Sequence, residues 1–175
     1  MKRNNRIYTV KFRRRREGKT NYKSRLSLLI SESPRLVIRK SSKNISVSVV
    51  DFDPKGDKVI VSASSQELKK SGCGLNPGNI PSAYLTGFML GKKAKEKNIG
   101  RLVLDIGLVG SIKGSRIYSA LAGVLDSGVN VPHDPKILPS KDRIKGKHIK
   151  KDSDASATEK EFERVKKIIE GGKNG

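Results

Sequence analysis

The chain has 175 residues and carries 38 Lys and Arg against 17 Asp and Glu, a formal net charge of +21. That excess is more than solubility requires and calls for a polyanionic partner, either nucleic acid or an anionic membrane surface. A single cysteine, Cys73, excludes an internal disulfide and fits a reducing compartment, and the absence of an apolar run of about 18 residues excludes a membrane-spanning helix.

Residues 1–25 hold eleven Lys or Arg and one acid, Glu17. Only Ile7, Val10 and a few aromatics there are apolar, so this arm builds no core of its own. Thr20 is placed to cap a short helix with Tyr22, Leu26, Leu29 and Ile30 on one face, stopping before Pro34. The period then changes to two. "RLVIRK", "NISVSVV" and "DKVIVSA" are β-branched runs separated by the turn sequences "SSKN" and "DPKG", which predicts a three-stranded antiparallel meander. Asn79 caps a helix running to about Asn98 and closed by Gly100, with Ile80, Tyr84, Gly87, Phe88 and Gly91 on one face. Its two glycines would let it lie close to a sheet. "RLVLDI" (101–106) reads as a strand buried on both faces. Ser115 caps a second helix with Ile117, Leu121, Val124 and Leu125 inward, ended by Gly128.

A strand reached through a helical crossover usually runs parallel to its sheet neighbour. The expected fold is therefore α/β: a mixed sheet of about four strands, the meander plus one strand after the crossover, with helices packed on it. Three regions follow: a basic extension (1–25), an α/β core (26–131) and a charged C-terminal extension (132–175). The last opens with Pro132, Pro135 and Pro139, continues as "KDRIKGKHIKK", and ends in a helix over 155–170 with Phe162, Val165 and Ile169 at helical spacing.

Chemistry is sought in four places. In the arm, Lys11, Arg13, Arg14, Arg15, Arg16 and Lys19 can follow a phosphate backbone, each neutralised phosphate releasing condensed counterions. Tyr8, Phe12 and Tyr22 are interleaved and can stack on unpaired bases. The alternative is a solvated tail or a localisation signal. The second place is "DIGLVGSIKGSR" (105–116), where a strand, three glycines and a helix start resemble a phosphate cradle. Its order Lys113-Gly114-Ser115 is not the Gly-Lys-Ser/Thr of a nucleotide-binding P-loop. A helix start gripping a backbone phosphate, aided by Lys113, Ser115 and Arg116, is the better functional reading, and a plain glycine-rich turn the bland one.

Third, Asp51, Asp53 and Asp105 lie on or beside strands, but turn chemistry accounts for the first two better than a two-metal nuclease does. Asp105 is placed to order the glycine loop. Fourth, one cysteine with His133 and His148 assembles no structural zinc site, and Cys73 has no neighbouring base to activate it. Neither a metal nor another cofactor is expected. The arm lacks the wide apolar face of a membrane-surface helix. Lys2 and Arg3 are not followed by the hydrophobic stretch of a secretion signal.

Together, "YTVKFRRRREGKTNYKSRL", "PRLVIRKSSKNISVSVVDFDPKGDKVIVSA", "IPSAYLTGFMLGKKA", "VLDIGL", "KGSRIYSALAGVLDSGVNVPH" and "DRIKGKHI" resemble, in that order, the archaeal-type large-subunit ribosomal protein family that binds 5S ribosomal RNA, the eighteenth of the large-subunit series. The resemblance spans residues 7–149 and departs from the family pattern over 153–175. It implies a cytoplasmic structural protein of the large subunit that holds 5S rRNA to large-subunit rRNA in the central protuberance. The implied partners are those two RNAs and neighbouring large-subunit proteins, with no membrane and no homo-oligomer. RNA contacts carry over onto Arg6, Tyr8, Lys11, Phe12, Arg13, Arg14, Arg15, Arg16, Lys19, Thr20, Tyr22, Lys23 and Arg25. They also fall on Lys113, Gly114, Ser115 and Arg116; beside these, Lys141, Arg143, Lys145 and Lys147 of "DRIKGKHI" are expected to bind RNA. No enzymatic activity is expected; the competing reading is a nuclease or nucleotide-dependent RNA-processing enzyme on the same scaffold.

Overall fold

The computed structural model describes residues 9–70, 72–149 and 155–171. The meander forms as the alternation requires: β1 (Arg35–Lys40) pairs antiparallel with β2 (Ile45–Asp51), and β2 with β3 (Lys58–Ser64). The fourth strand, β4 (Val103–Asp105), lies parallel beside β1, so the order is β3-β2-β1-β4. Leu36, Ile38, Ile45, Val47, Val49, Val61 and Ala63 fill one face of the sheet and are buried. The other face carries Val37, Arg39, Ser46, Ser48 and Asp105, because adjacent side chains in a strand point to opposite faces.

Two long helices cover the apolar face. Helix α4 (Ile80–Glu96) is capped by Asn79, whose Oδ1 accepts the Ser82 amide at 2.9 Å. Every residue from Ile80 to Gly91 is buried, as befits a helix enclosed by neighbours on all sides. One neighbour is α5 (Arg116–Asp126), the other α7 (Ala155–Glu170), with the sheet beneath. Phe162, Val165 and Ile169 are buried, and Phe162 lies 5.4 Å from the Tyr84 ring on α4. The C-terminal helix therefore docks on the core. The short helices are α1 (Arg13–Arg16), α2 (Tyr22–Ile30), α3 (Ser65–Lys70) and α6 (Lys141–Lys145).

Several local expectations need correction. Asn21, not Thr20, caps α2, its Oδ1 accepting from the Lys23 and Ser24 amides. The predicted apolar face of α2 is not buried: Leu26 and Ile30 are 62% and 73% exposed. Helix α4 ends earlier than Gly100, because Asn98 takes the left-handed position (φ 58°), which asparagine tolerates better than most residues. Strand β4 is three residues rather than six, and Arg101 makes only an isolated bridge to Asn130. Lastly, Gly87 and Gly91 lie against α5, at Ala120, Val124 and Ser127, and not against the sheet.

Candidate nucleic-acid interface

Four consecutive arginines form the single turn α1, and since a helix turns about 100° per residue they fan outward; all are exposed. Glu17 holds two of the surrounding cations, Arg13 Nε at 2.8 Å and Lys19 Nζ at 2.8 Å. Lys19 first, and then Arg13, holds its carboxyl below the usual range. Arg14 Nε donates to Thr20 Oγ1 at 2.8 Å, and the Phe12 and Tyr22 rings meet at 5.2 Å. The arm is thus folded back against α2, although it buries nothing. Lys11 and Lys23 are exposed. Arg6 and Tyr8 lie outside the described residues.

The base of the arm is fixed by a chain of alternating charges across the open sheet face. Arg25 Nη2 reaches both Asp57 oxygens at 2.9 Å. Arg35, only 3% exposed, bridges Asp57 at 2.7 Å and Asp105 at 3.2 Å. Arg39 completes the chain to Asp105 Oδ1 at 3.1 Å and to its carbonyl at 2.8 Å. Burial pushes the Asp57 carboxyl up, but the Arg35 and Arg25 guanidiniums outweigh it and hold the group below its ordinary value. Asp105 does order the glycine loop: its Oδ1 accepts the Gly107 amide at 2.8 Å, where φ is +68°. The sequence had not singled out Arg35, Arg39 or Asp57. The available signal was Arg35, Val37 and Arg39 at period two, which puts both arginines on the face opposite the core.

Asp57→Asn is expected to cost about 1.5–3 kcal/mol at neutral pH, the range for a hydrogen bond to a charged group. A carboxyl whose folded pKa is depressed stabilises above its unfolded value of about 3.9, and that stability is lost as pH falls through the folded value. Urea unfolding at pH 7 and in the acid range should therefore show the variant losing less stability on acidification than the parent.

The glycine loop joins the arm on one side and the C-terminal segment on the other. The Gly114 amide donates to Ile137 O at 2.9 Å, and Ser111 and Tyr118 share a hydroxyl hydrogen bond. Lys113 is exposed, while Ser115 occupies the N-cap position without a side-chain bond. Arg116 turns inward, donating to Gly78 O at 2.9 Å and Ser42 O at 3.3 Å. In the C-terminal set, Lys145 is engaged by Glu159 and Glu163 of α7 at 3.0 and 3.3 Å, and Lys147 by Asp142 at 2.9 Å. Lys141 and Arg143 stay exposed. Arm and glycine loop thus form one cationic band, and the Gly114 amide ties it to the segment that leads into α6.

The strand carboxylates serve structure. Asp53 accepts the Lys55 amide at 3.0 Å and pairs with Lys58 at 2.8 Å. Asp51 Oδ1 accepts the Phe52 amide at 2.9 Å, and Asp105 is held by arginines. Burial pushes the Cys73 thiol up, away from the reactive thiolate.

A mixed sheet with helices on its apolar face, a charge-locked opposite face and a cationic band defines a basic α/β protein with a surface suited to a polyanion. Residues 6–100 match the family described as ribosomal large subunit proteins 60S L5 and 50S L18, and the chain belongs to that family. It is 52% identical over 142 residues to the large ribosomal subunit protein uL18 of Korarchaeum cryptofilum, covering 81% of this chain and 73% of the relative. The uL18 of Methanococcus maripaludis is 45% identical over 172 residues, covering 95% and 88%. That of Methanothrix thermoacetophila is 46% identical over 143 residues, covering 82% and 85%. The role is structural, in the large ribosomal subunit of the cytoplasm, and not that of an enzyme.

Proposed function

We propose that the chain binds 5S rRNA and helps attach it to large-subunit rRNA in the central protuberance. The arm, the glycine loop and the α6 segment supply the contacts, and neighbouring large-subunit proteins complete the site. The observation that carries this reading is the cationic band: the acids along the arm and glycine loop, Glu17, Asp57 and Asp105, are already engaged by cations of this chain, as are Asp142, Glu159 and Glu163 beside α6. Arg15, Arg16, Lys23 and Lys113 remain exposed along it. The choice of 5S rRNA rests on the sequence resemblance over residues 7–149. In this arrangement the exposed arginines of α1 track phosphates, Phe12 and Tyr22 offer a stacking step, and Lys113 meets a backbone phosphate at the start of α5.

The test is a competition assay at fixed salt, with 5S rRNA against a duplex RNA of equal length. At least a tenfold preference for 5S rRNA is expected, together with protection of the 11–25 segment from trypsin in the complex. Equal affinity for both RNAs would show a charge-driven binder without a 5S site.

A further inference from the structure

A cavity of about 340 Å³ lies where the arm, α2 and the glycine loop converge on the open face of the sheet. Arg14, Lys19, Arg25 and Arg39 contribute to its lining, four cations against one carboxylate, Asp105. That carboxylate is committed to Arg35, Arg39 and the Gly107 amide. Leu28, Ile106, Leu108 and Val109 give the cavity an apolar part, and Leu108 is 56% exposed although apolar. Thr20, Asn21 and Ser24 bring hydroxyl and amide groups to another wall.

We propose that this cavity takes one unstacked nucleotide of the bound RNA. The inference rests on the reading of the chain as an RNA binder and adds the manner in which the RNA is held. Each part of the lining matches one part of a nucleotide. A base face is apolar and packs on aliphatic side chains, as sequence-specific RNA recognition packs splayed-out bases on protein surfaces. Base edges need hydrogen-bonding groups: the Ser24 hydroxyl can donate or accept, and the Asn21 amide nitrogen can donate while its oxygen caps α2. The phosphate needs a cation without a competing acid, and Arg14 supplies it: it is tied to the Thr20 hydroxyl, whereas Lys19, Arg25 and Arg39 are paired with Glu17, Asp57 and Asp105. The volume lies at the lower end of the range for small-ligand sites, about 300–1,000 Å³, which admits a single nucleotide and excludes a duplex. Taking a base out of a helix costs a few kcal/mol, so the site selects a nucleotide already unpaired in a loop or bulge. The walls are held before binding: Arg14 is tied to Thr20, Arg39 to Asp105, and Arg25 to Asp57. Little ordering is left for the ligand to impose.

The full chain with labelled methyl groups should be titrated by NMR with each nucleoside 5′-monophosphate, with ribose 5-phosphate, with inorganic phosphate and with a glutamate-rich peptide. The expected result is that nucleotides shift the methyl signals of Leu28, Ile106, Leu108 and Val109, with dissociation constants on the order of 1–10 mM, as befits one fragment of a larger ligand. Ribose 5-phosphate should bind at least fivefold more weakly. Leu108→Asn, at an exposed position, should weaken the nucleotide about fivefold, and Arg14→Ala should weaken nucleotide and ribose 5-phosphate alike. Equal shifts from inorganic phosphate would make this a phosphate site only and overturn the proposal. A stronger response to the acidic peptide would overturn it in favour of a protein partner, and silence at all four methyl positions would overturn it outright. No 5S rRNA enters this titration. Nucleotide binding without 5S rRNA binding therefore condemns the 5S reading alone, and the reverse result condemns the cavity alone.

Discussion

Gly123→Ala should lower the melting temperature by about 5–10 °C, corresponding to roughly 2–3 kcal/mol of overpacking in a chain of this size. A Cβ at Gly123 would sit 2.1 Å from Tyr84 O and 2.7 Å from Phe88 N on α4. Across the same contact, a Cβ at Gly87 would sit 2.0 Å from Ala120 O on α5. Backbone atoms stand on both sides, so no rotamer change relieves the clash and the two helices must separate. Against this stands the gain of up to about 1 kcal/mol from replacing a helical glycine by alanine, which is too small to decide the sign. Gly87→Ala should behave likewise. The double variant should lose less than the sum, because once one methyl has parted α4 from α5 the second finds the gap already open. Gly100→Ala is the control: it has open space around it and no positive φ, so it should be neutral. Wild-type stability in Gly123→Ala by thermal or urea unfolding would mean the helices do not cross this closely.

The parts of this fold legible in the sequence were those whose signal is local. Ile45, Val47 and Val49 alternate with serines, so β2 and its burial followed directly. Asn79 stands one residue before a run of apolar positions at helical spacing, so α4 was placed correctly at its start. Its end, expected at about Asn98, falls at Glu96; only the closing residue was misassigned, because Gly100 and Asn98 both tolerate the left-handed position and Asn98 takes it. Thr20 and Asn21 are both capable caps; Asn21, directly before Tyr22, takes the cap, and the Thr20 hydroxyl accepts from Arg14 instead.

The site was less legible, since its framework depends on register. Asp105 was expected to order the glycine loop, and its bond to Gly107 spans two residues. Its pairing with Arg35 spans seventy, and exists only because β4 runs parallel beside β1. Gly87 invited the idea of a close approach, but a one-dimensional pattern does not reveal which element approaches. Gly123, the matching residue on α5, carried no signal of its own.

Replacing Arg13, Arg14, Arg15 and Arg16 together by alanine should leave thermal stability almost unchanged and flatten the salt dependence of 5S rRNA binding. Helix α1 contains no buried residue, and its internal ion pair is solvent-exposed, so a folded-state penalty of more than a few tenths of a kcal/mol is not expected. For the RNA, each lost phosphate contact removes about 0.7–0.9 from the slope of log K against log salt, the lower value for single strands and the upper for duplex. Arg13 is shared with Glu17, and Arg14 is held by Thr20 at the mouth of the cavity. Among the described residues Arg15 and Arg16 have no such ties, so the slope should fall by about 1.4–2.7 units, two to three contacts, rather than by the roughly 2.8–3.6 of all four. Lys113→Ala removes one exposed cation and should change the slope by less than 1 unit. Arg116→Ala separates the two effects. Its guanidinium holds Gly78 O and Ser42 O at the entrance to α4, so this variant should lose thermal stability, which neither of the others does. Affinities of all three variants for 5S rRNA at several salt concentrations, beside their melting temperatures, make the comparison. An arm variant that keeps the parent slope would remove the arginines from the phosphate contacts, and the cationic band would then owe its charge to another anion.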